Sequence, residues 1–108
     1  MLTANEYQTM CNRTVGSLSK DELMINAALG LCGESGEVAD HLKKHLYQGH
    51  ELDKENLIKE LGDISWYVSA MATALGVTLE DVFKKNNEKL NKRYPSGFSK
   101  EASINRVE

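Results

Sequence analysis

The sequence is poor in the residues that build sheets, disulfide scaffolds and membrane spans. Proline occurs once, at Pro95, and aromatic residues make up only 6% of the 108 positions. No Val/Ile/Tyr-rich alternating run bounded by turn chemistry is present, which argues against a sandwich or a barrel. The two cysteines, Cys11 and Cys32, form no C-x-x-C pair. They are expected to be reduced, buried small hydrophobes rather than a disulfide framework. No stretch approaches the roughly 20 apolar residues of a membrane span. The N-terminus MLTANEYQ lacks the basic and then apolar segments of an export signal, so the expectation is a soluble, cytoplasmic protein. With 13 basic against 16 acidic residues the net charge is -3. That leaves no basic excess to hold a nucleic acid polymer.

What is present is helical periodicity, so the fold class is all-α, in a single domain over residues 1–108. The pattern predicts a short first helix from Thr3 or Ala4 to Arg13, ended by the segment around Gly16. A long second helix begins near Lys20–Glu22, capped by Ser19 or Asp21, and runs to Tyr47, where Gly49 can adopt a left-handed stop. Asp53 caps a third helix to Leu75, and Thr78 opens a fourth that ends near Tyr94. The short connection after Tyr47 makes the second and third helices antiparallel neighbours. Residues from about 96 to 108 are polar and aperiodic and are expected to form an extended tail. At about 100° per residue, the apolar stripe of the second helix is Met24, Ala28, Leu31, Ala39, Leu42 and Leu46. That of the third is Leu57, Leu61, Ile64, Val68, Met71, Ala72 and Leu75. A chain this small gains much of its burial by association with a second copy.

The candidate site is a pair of acidic pairs, Glu34-x-x-Glu37 and Glu60-x-x-Asp63. Each is spaced i, i+3, so both carboxylates of a pair share a helix face, here along the edge of the apolar stripe. Antiparallel packing lets the two acidic edges meet. A single acidic pair of this kind is ordinarily a solvated surface feature. Four acids at a core edge repel one another and resist burial, so the cluster calls for a cation. An all-oxygen ligand set suits Mg²⁺ or Mn²⁺, which keep waters and substrate phosphates in their remaining positions. A di-iron bundle uses Glu-x-x-His, and neither pair has that histidine. His41 and His45 are spaced i, i+4 as zinc ligands can be, but no third ligand accompanies them; a surface role fits them better.

On the fourth helix most of the lysines belong to a solvated face. Asn86, Lys89 and Arg93 share one face at i, i+3, i+7, a spacing that can grip a polyphosphate. Trp66, the only tryptophan, lies off the main stripe. It is either buried at a helix or dimer interface or stacked on a base. Gly30, Gly33 and Gly36 read as a device for close helix approach, at a helix-propensity cost of about 1 kcal/mol each.

The segments Leu29-Gly30-Leu31-Cys32-Gly33-Glu34-Ser35-Gly36-Glu37-Val38-Ala39-Asp40 and Lys43-Lys44, then Glu60-Leu61-Gly62-Asp63-Ile64-Ser65-Trp66-Tyr67, then Asn86, Lys89-Leu90 and Arg93-Tyr94-Pro95-Ser96-Gly97-Phe98, carry a resemblance. They are similar to the MazG-like nucleotide pyrophosphohydrolases of the all-α NTP pyrophosphatase superfamily, defined by E-x-x-E, a spacer and E-x-x-D. The resemblance spans nearly the whole chain. It implies a MazG-like helical bundle completed by dimerisation, as a homodimer or a tetramer of paired dimers. It implies hydrolysis of NTPs or dNTPs between the α and β phosphates, with clearance of non-canonical nucleotides as a candidate role, and Mg²⁺ on Glu34, Glu37, Glu60 and Asp63. Glu37 or Glu34 is then the general base, and Asn86 or Asn87, Lys89 and Arg93 contact phosphate or sugar. Phosphoribosyl-ATP pyrophosphohydrolysis is the alternative on the same fold. A non-catalytic helical module holding a structural ion is the alternative of a different class.

Overall fold

The computed structural model describes residues 1–107, and all of its regular structure is helical: α1 (Ala4–Asn12), α2 (Lys20–Tyr47), α3 (Lys54–Ala74), α4 (Leu79–Arg93) and α5 (Lys100–Ile104). The helix starts are written locally. Thr3 with Glu6, Ser19 with Glu22 and Thr78 with Asp81 each form a capping box, in which hydroxyl and carboxylate exchange hydrogen bonds with the opposite backbone amides. Asp53 caps α3 by accepting from the Asn56 amide. Each cap of this type contributes about 1 kcal/mol. The end of α3 is a Schellman turn: Gly76 takes a left-handed φ of 74°, Val77 N–H donates to the Ala72 carbonyl, and Gly76 N–H to that of Thr73. The tail departs from the expected extended form. It turns at Pro95–Gly97 and then forms the short α5, because Ser99 caps the amide of Ala102.

The register of α2 against α3 differs from the expected one by a single residue on each helix. The buried cluster joins Leu23 and Ala27 of α2 to Ala70 and Ala74 of α3. Farther along, the Tyr67 ring lies directly over Gly30. The facing pairs are therefore Leu23/Ala74, Ala27/Ala70 and Gly30/Tyr67, and their residue numbers sum to one constant, as an antiparallel pair requires. Continued, the same register makes Glu34 face Asp63, Glu37 face Glu60 and His41 face Asn56. Along both helices these positions advance in alternating steps of four and three, the seam spacing of two helices in contact. The acids thus lie in the seam itself, and not along its edge as the amphipathic analysis expected.

The stripes expected to be buried lie one position on, rotated by about 100°. In an antiparallel pair that rotation carries both stripes to the same side of the hairpin, where Leu61 and Leu75 are more than half exposed and Leu42 and Leu46 also face solvent, while Ala72 is buried as expected and Met24 and Met71 still pack against the core. The seam takes small residues because small side chains let the helices approach. The larger leucines are left on an open face. The side of α3 away from this face is covered by α1, and Gln8 is the rivet. It is buried, donates through Nε2 to Thr73 Oγ1 (3.0 Å) and the Val77 carbonyl (3.1 Å), and accepts through Oε1 from Leu79 N–H (2.7 Å), tying α1 to α3 and to the start of α4. Of the cysteines, Cys11 is buried as expected; Cys32 is exposed, since it projects away from the seam.

Candidate metal and nucleotide site

Two clefts open along the acidic half of the seam. One, of about 370 Å³, is lined by Thr14, Glu34, Asp63, Trp66 and Tyr67. The other, of about 560 Å³, is lined by Gly33, Gly36, Glu37, Asp40, His41, Lys44, Asn56 and Glu60. Of the four motif acids each cleft takes one from each helix, as the register dictates, and Asp40 adds a further carboxylate to the second. Gly33 and Gly36 have nothing within 4 Å of where a side chain would start, whereas at Gly30 a Cβ would collide with the Tyr67 ring. Close approach is thus the role of Gly30 alone, and it admits a ring rather than a backbone. Gly33 and Gly36 leave the acids open to the cleft.

The electrostatics show that the four carboxylates form one group. Glu34 is held above its ordinary pKa of 4.5, by burial first, then by the charges of Glu37 and Asp63, a hydrogen bond shared with Glu37, and the charge of Glu60. Oε2 of Glu34 and Oε2 of Glu60 are shut off from solvent and have no hydrogen-bond partner in the structure. Buried carboxylate oxygens are ordinarily satisfied. One such orphan on each helix, amid the charges of Glu37 and Asp63, fits a hard divalent cation, whose preference is for oxygen donors. Among the described residues, no three His, Cys, Asp or Glu side chains are already gathered at ligand distance from one point.

The surrounding side chains are fixed from α1 and from the α1–α2 connection. Trp66 Nε1 donates to Thr14 Oγ1 (2.8 Å), Thr14 Oγ1 donates to the Cys11 carbonyl (2.8 Å), and the Trp66 and Tyr67 rings meet edge to face at 5.1 Å. Trp66 therefore combines two roles: it packs against the core, and it presents a wall beside Glu34 and Asp63. Tyr7 donates to the Gly62 carbonyl at 3.4 Å, next to Asp63. Burial above all, then Cys11 and the Asp63 charge, push the Tyr7 phenol up to about 12.

His41 and His45 clasp the two ends of the interhelical loop. Nε2 of His41 accepts from Asp53 N–H (3.2 Å), and Nδ1–H of His45 donates to the His50 carbonyl (2.7 Å). The i, i+4 spacing that resembles a zinc pair thus serves the hairpin. Asn86, Lys89 and Arg93 line neither acidic cleft: α4 packs on α1 and α3, and Arg93 lies 5.9 Å from the Tyr94 ring and lines a cleft with the tail. Two site neighbours escaped the sequence reading. Asn56 was detectable, four residues before Glu60 on the same helix face. Thr14 comes from the α1–α2 connection and carries no local signal.

The family model described as MazG nucleotide pyrophosphohydrolase domain matches residues 24–98, which include all four acids. The Gene 37 protein of Mycobacterium phage L5 is 34% identical over 95 residues, covering 84% of this chain and 83% of the phage protein. The uncharacterized protein YvdC of Bacillus subtilis (strain 168) is 46% identical over 41 residues, 38% of this chain and 39% of that one. No solved structure matches.

Proposed function

The chain belongs to the MazG nucleotide pyrophosphohydrolase family, and from that membership and the acid-filled seam we propose that it hydrolyses nucleoside triphosphates to the monophosphate and pyrophosphate with Mg²⁺. The observation that carries the proposal is the occupation of four successive seam positions by Glu34, Glu37, Glu60 and Asp63, two of them with buried, unpartnered oxygens. Glu34, Glu37, Glu60 and Asp63 hold the metal. When bound, Mg²⁺ neutralises the triphosphate and acidifies a water. Glu37 or Glu34 would take the proton of the attacking water as the water oxygen bonds to the α-phosphorus and the α–β bridging oxygen departs with pyrophosphate. The open strip over Gly33 and Gly36 admits the phosphates to the acids, and Trp66 offers a flat face to the base beside Glu34 and Asp63.

The same reading includes a homodimer. The radius of gyration is 16.8 Å, against about 13 Å for a compact chain of this length. The accessible surface is 7983 Å² for 12.1 kDa, against about 6,000 Å² for a folded monomer of that mass. The excess of about 2,000 Å² per copy matches what an obligate homodimer buries. The open leucine face of the α2–α3 hairpin supplies the contact, and Asn86, Lys89 and Arg93 reach the phosphates once two copies have assembled.

Release of pyrophosphate from a panel of NTPs, dNTPs and non-canonical nucleotides with Mg²⁺ tests the activity. Turnover is expected for the native chain and lost in Glu37→Gln and Asp63→Asn. No turnover of any substrate, or turnover unaltered by both substitutions, overturns the proposal.

A further inference from the structure

A run of hydrogen bonds crosses the acidic end of the seam and finishes on Glu60. His41 Nε2 of α2 accepts from Asp53 N–H at 3.2 Å, Asp53 Oδ1 accepts from Asn56 N–H at 3.0 Å, and Asn56 Nδ2–H donates to Glu60 Oε1 at 3.1 Å. His41, Asn56 and Glu60 line the same cleft as Glu37. Of the two Glu60 oxygens, Oε1 is therefore committed to the Asn56 amide, while Oε2 is the buried one left without a partner.

We propose that Asn56 is a positioning residue for the metal site, fixing the Glu60 carboxylate so that Oε2 alone is presented to the cation. An unrestrained glutamate has three rotatable bonds and two equivalent oxygens, so its ligating geometry must be selected each time a metal binds. The amide of Asn56 removes that choice in advance, and partners outside the ligand set commonly do this for ligating carboxylates. Asn56 is held in turn by the cap residue Asp53, whose own amide is fixed to α2 through His41. The orientation of Glu60 is thus referred to the helix that carries Glu34 and Glu37. The inference rests on the four-acid reading above.

The test is Mn²⁺ binding to the full chain without nucleotide, followed by the loss of the free-ion electron paramagnetic resonance signal, alongside metal-free thermal melts. Alanine is the better helix former, so Asn56→Ala should melt no lower than the native chain in the absence of metal. Its Mn²⁺ affinity should nevertheless fall by about 10- to 100-fold. Asn56→Gln, which keeps an amide donor, should recover most of that loss. In pyrophosphate release the half-saturating Mg²⁺ should rise while kcat at saturating Mg²⁺ holds. In a Glu60→Gln background, Asn56→Ala should weaken Mn²⁺ binding no further. Native affinity in Asn56→Ala, or an equal loss in both backgrounds, overturns the positioning role. A native chain that binds no Mn²⁺ overturns the four-acid reading instead.

Discussion

Replacing Gly30 and Gly33 by alanine, one at a time, separates two glycines that look alike in the sequence. Both lie inside α2, so each replacement brings the same helix-propensity gain of about 1 kcal/mol, arising largely in the unfolded chain. Their surroundings differ. A Cβ at Gly33 meets nothing within 4 Å, whereas one at Gly30 collides with the Tyr67 ring. That ring has little room to retreat, because it sits edge to face on Trp66, and Trp66 is tied to Thr14 at 2.8 Å. Overpacking of this kind costs about 1–3 kcal/mol. Gly33→Ala should therefore stabilise the chain by about 1 kcal/mol. Gly30→Ala should fall about 1–3 kcal/mol below it, and the common propensity gain cancels in that difference. Urea unfolding at one fixed protein concentration measures both, and the fixed concentration matters if folding and dimerisation are linked. In a Tyr67→Ala background the collision is gone, and Gly30→Ala should become stabilising by about 1 kcal/mol. Equal stabilities for Gly30→Ala and Gly33→Ala, or a Gly30→Ala cost that persists without the Tyr67 ring, would refute the α2–α3 register, and with it the alignment of the four acids.

Two further outcomes follow from the same structure. Glu34 is held above 4.5 in the folded chain, so the folded state binds that proton more tightly than the unfolded state, and the Glu34 contribution to stability declines as pH rises above 4.5. Without metal, Glu34→Gln should melt above the native chain near neutral pH, with the gap closing as pH falls towards 4.5. Mg²⁺ at about 100 times its Kd should then stabilise the native chain by about 2.7 kcal/mol and the variant by much less. A variant that melts below the native chain at neutral pH without metal contradicts the clustering of the acids. The second outcome concerns Gln8→Ala. This change strips partners from the buried Leu79 amide and the Val77 carbonyl, and should cost about 2–4 kcal/mol. Hydrogen exchange should show α4 losing protection first, and a cost below about 0.5 kcal/mol in urea unfolding would show that α4 is held by other contacts.

The ends of α1 to α4, the antiparallel α2–α3 hairpin and the two acidic pairs on its helices were legible in the sequence, because caps and i, i+3 spacing act over a few residues. Thr3, Ser19, Asp53 and Thr78 each announce a start within one turn of chain, and Gly76 announces a stop. Periodicity alone could not say which of two adjacent stripes forms the seam. The stripe through Leu57, Leu61, Ile64 and Val68 is the more apolar, yet the stripe one residue back, through Glu60, Asp63, Tyr67, Ala70 and Ala74, is the one that meets α2. Two helices approach most closely where their side chains are small, and that is a property of the pair, invisible in either helix alone. Only the tertiary structure could therefore place the acids inside the helix contact, turn the leucines outward into an open face, and bring Thr14 to the site from the α1–α2 connection.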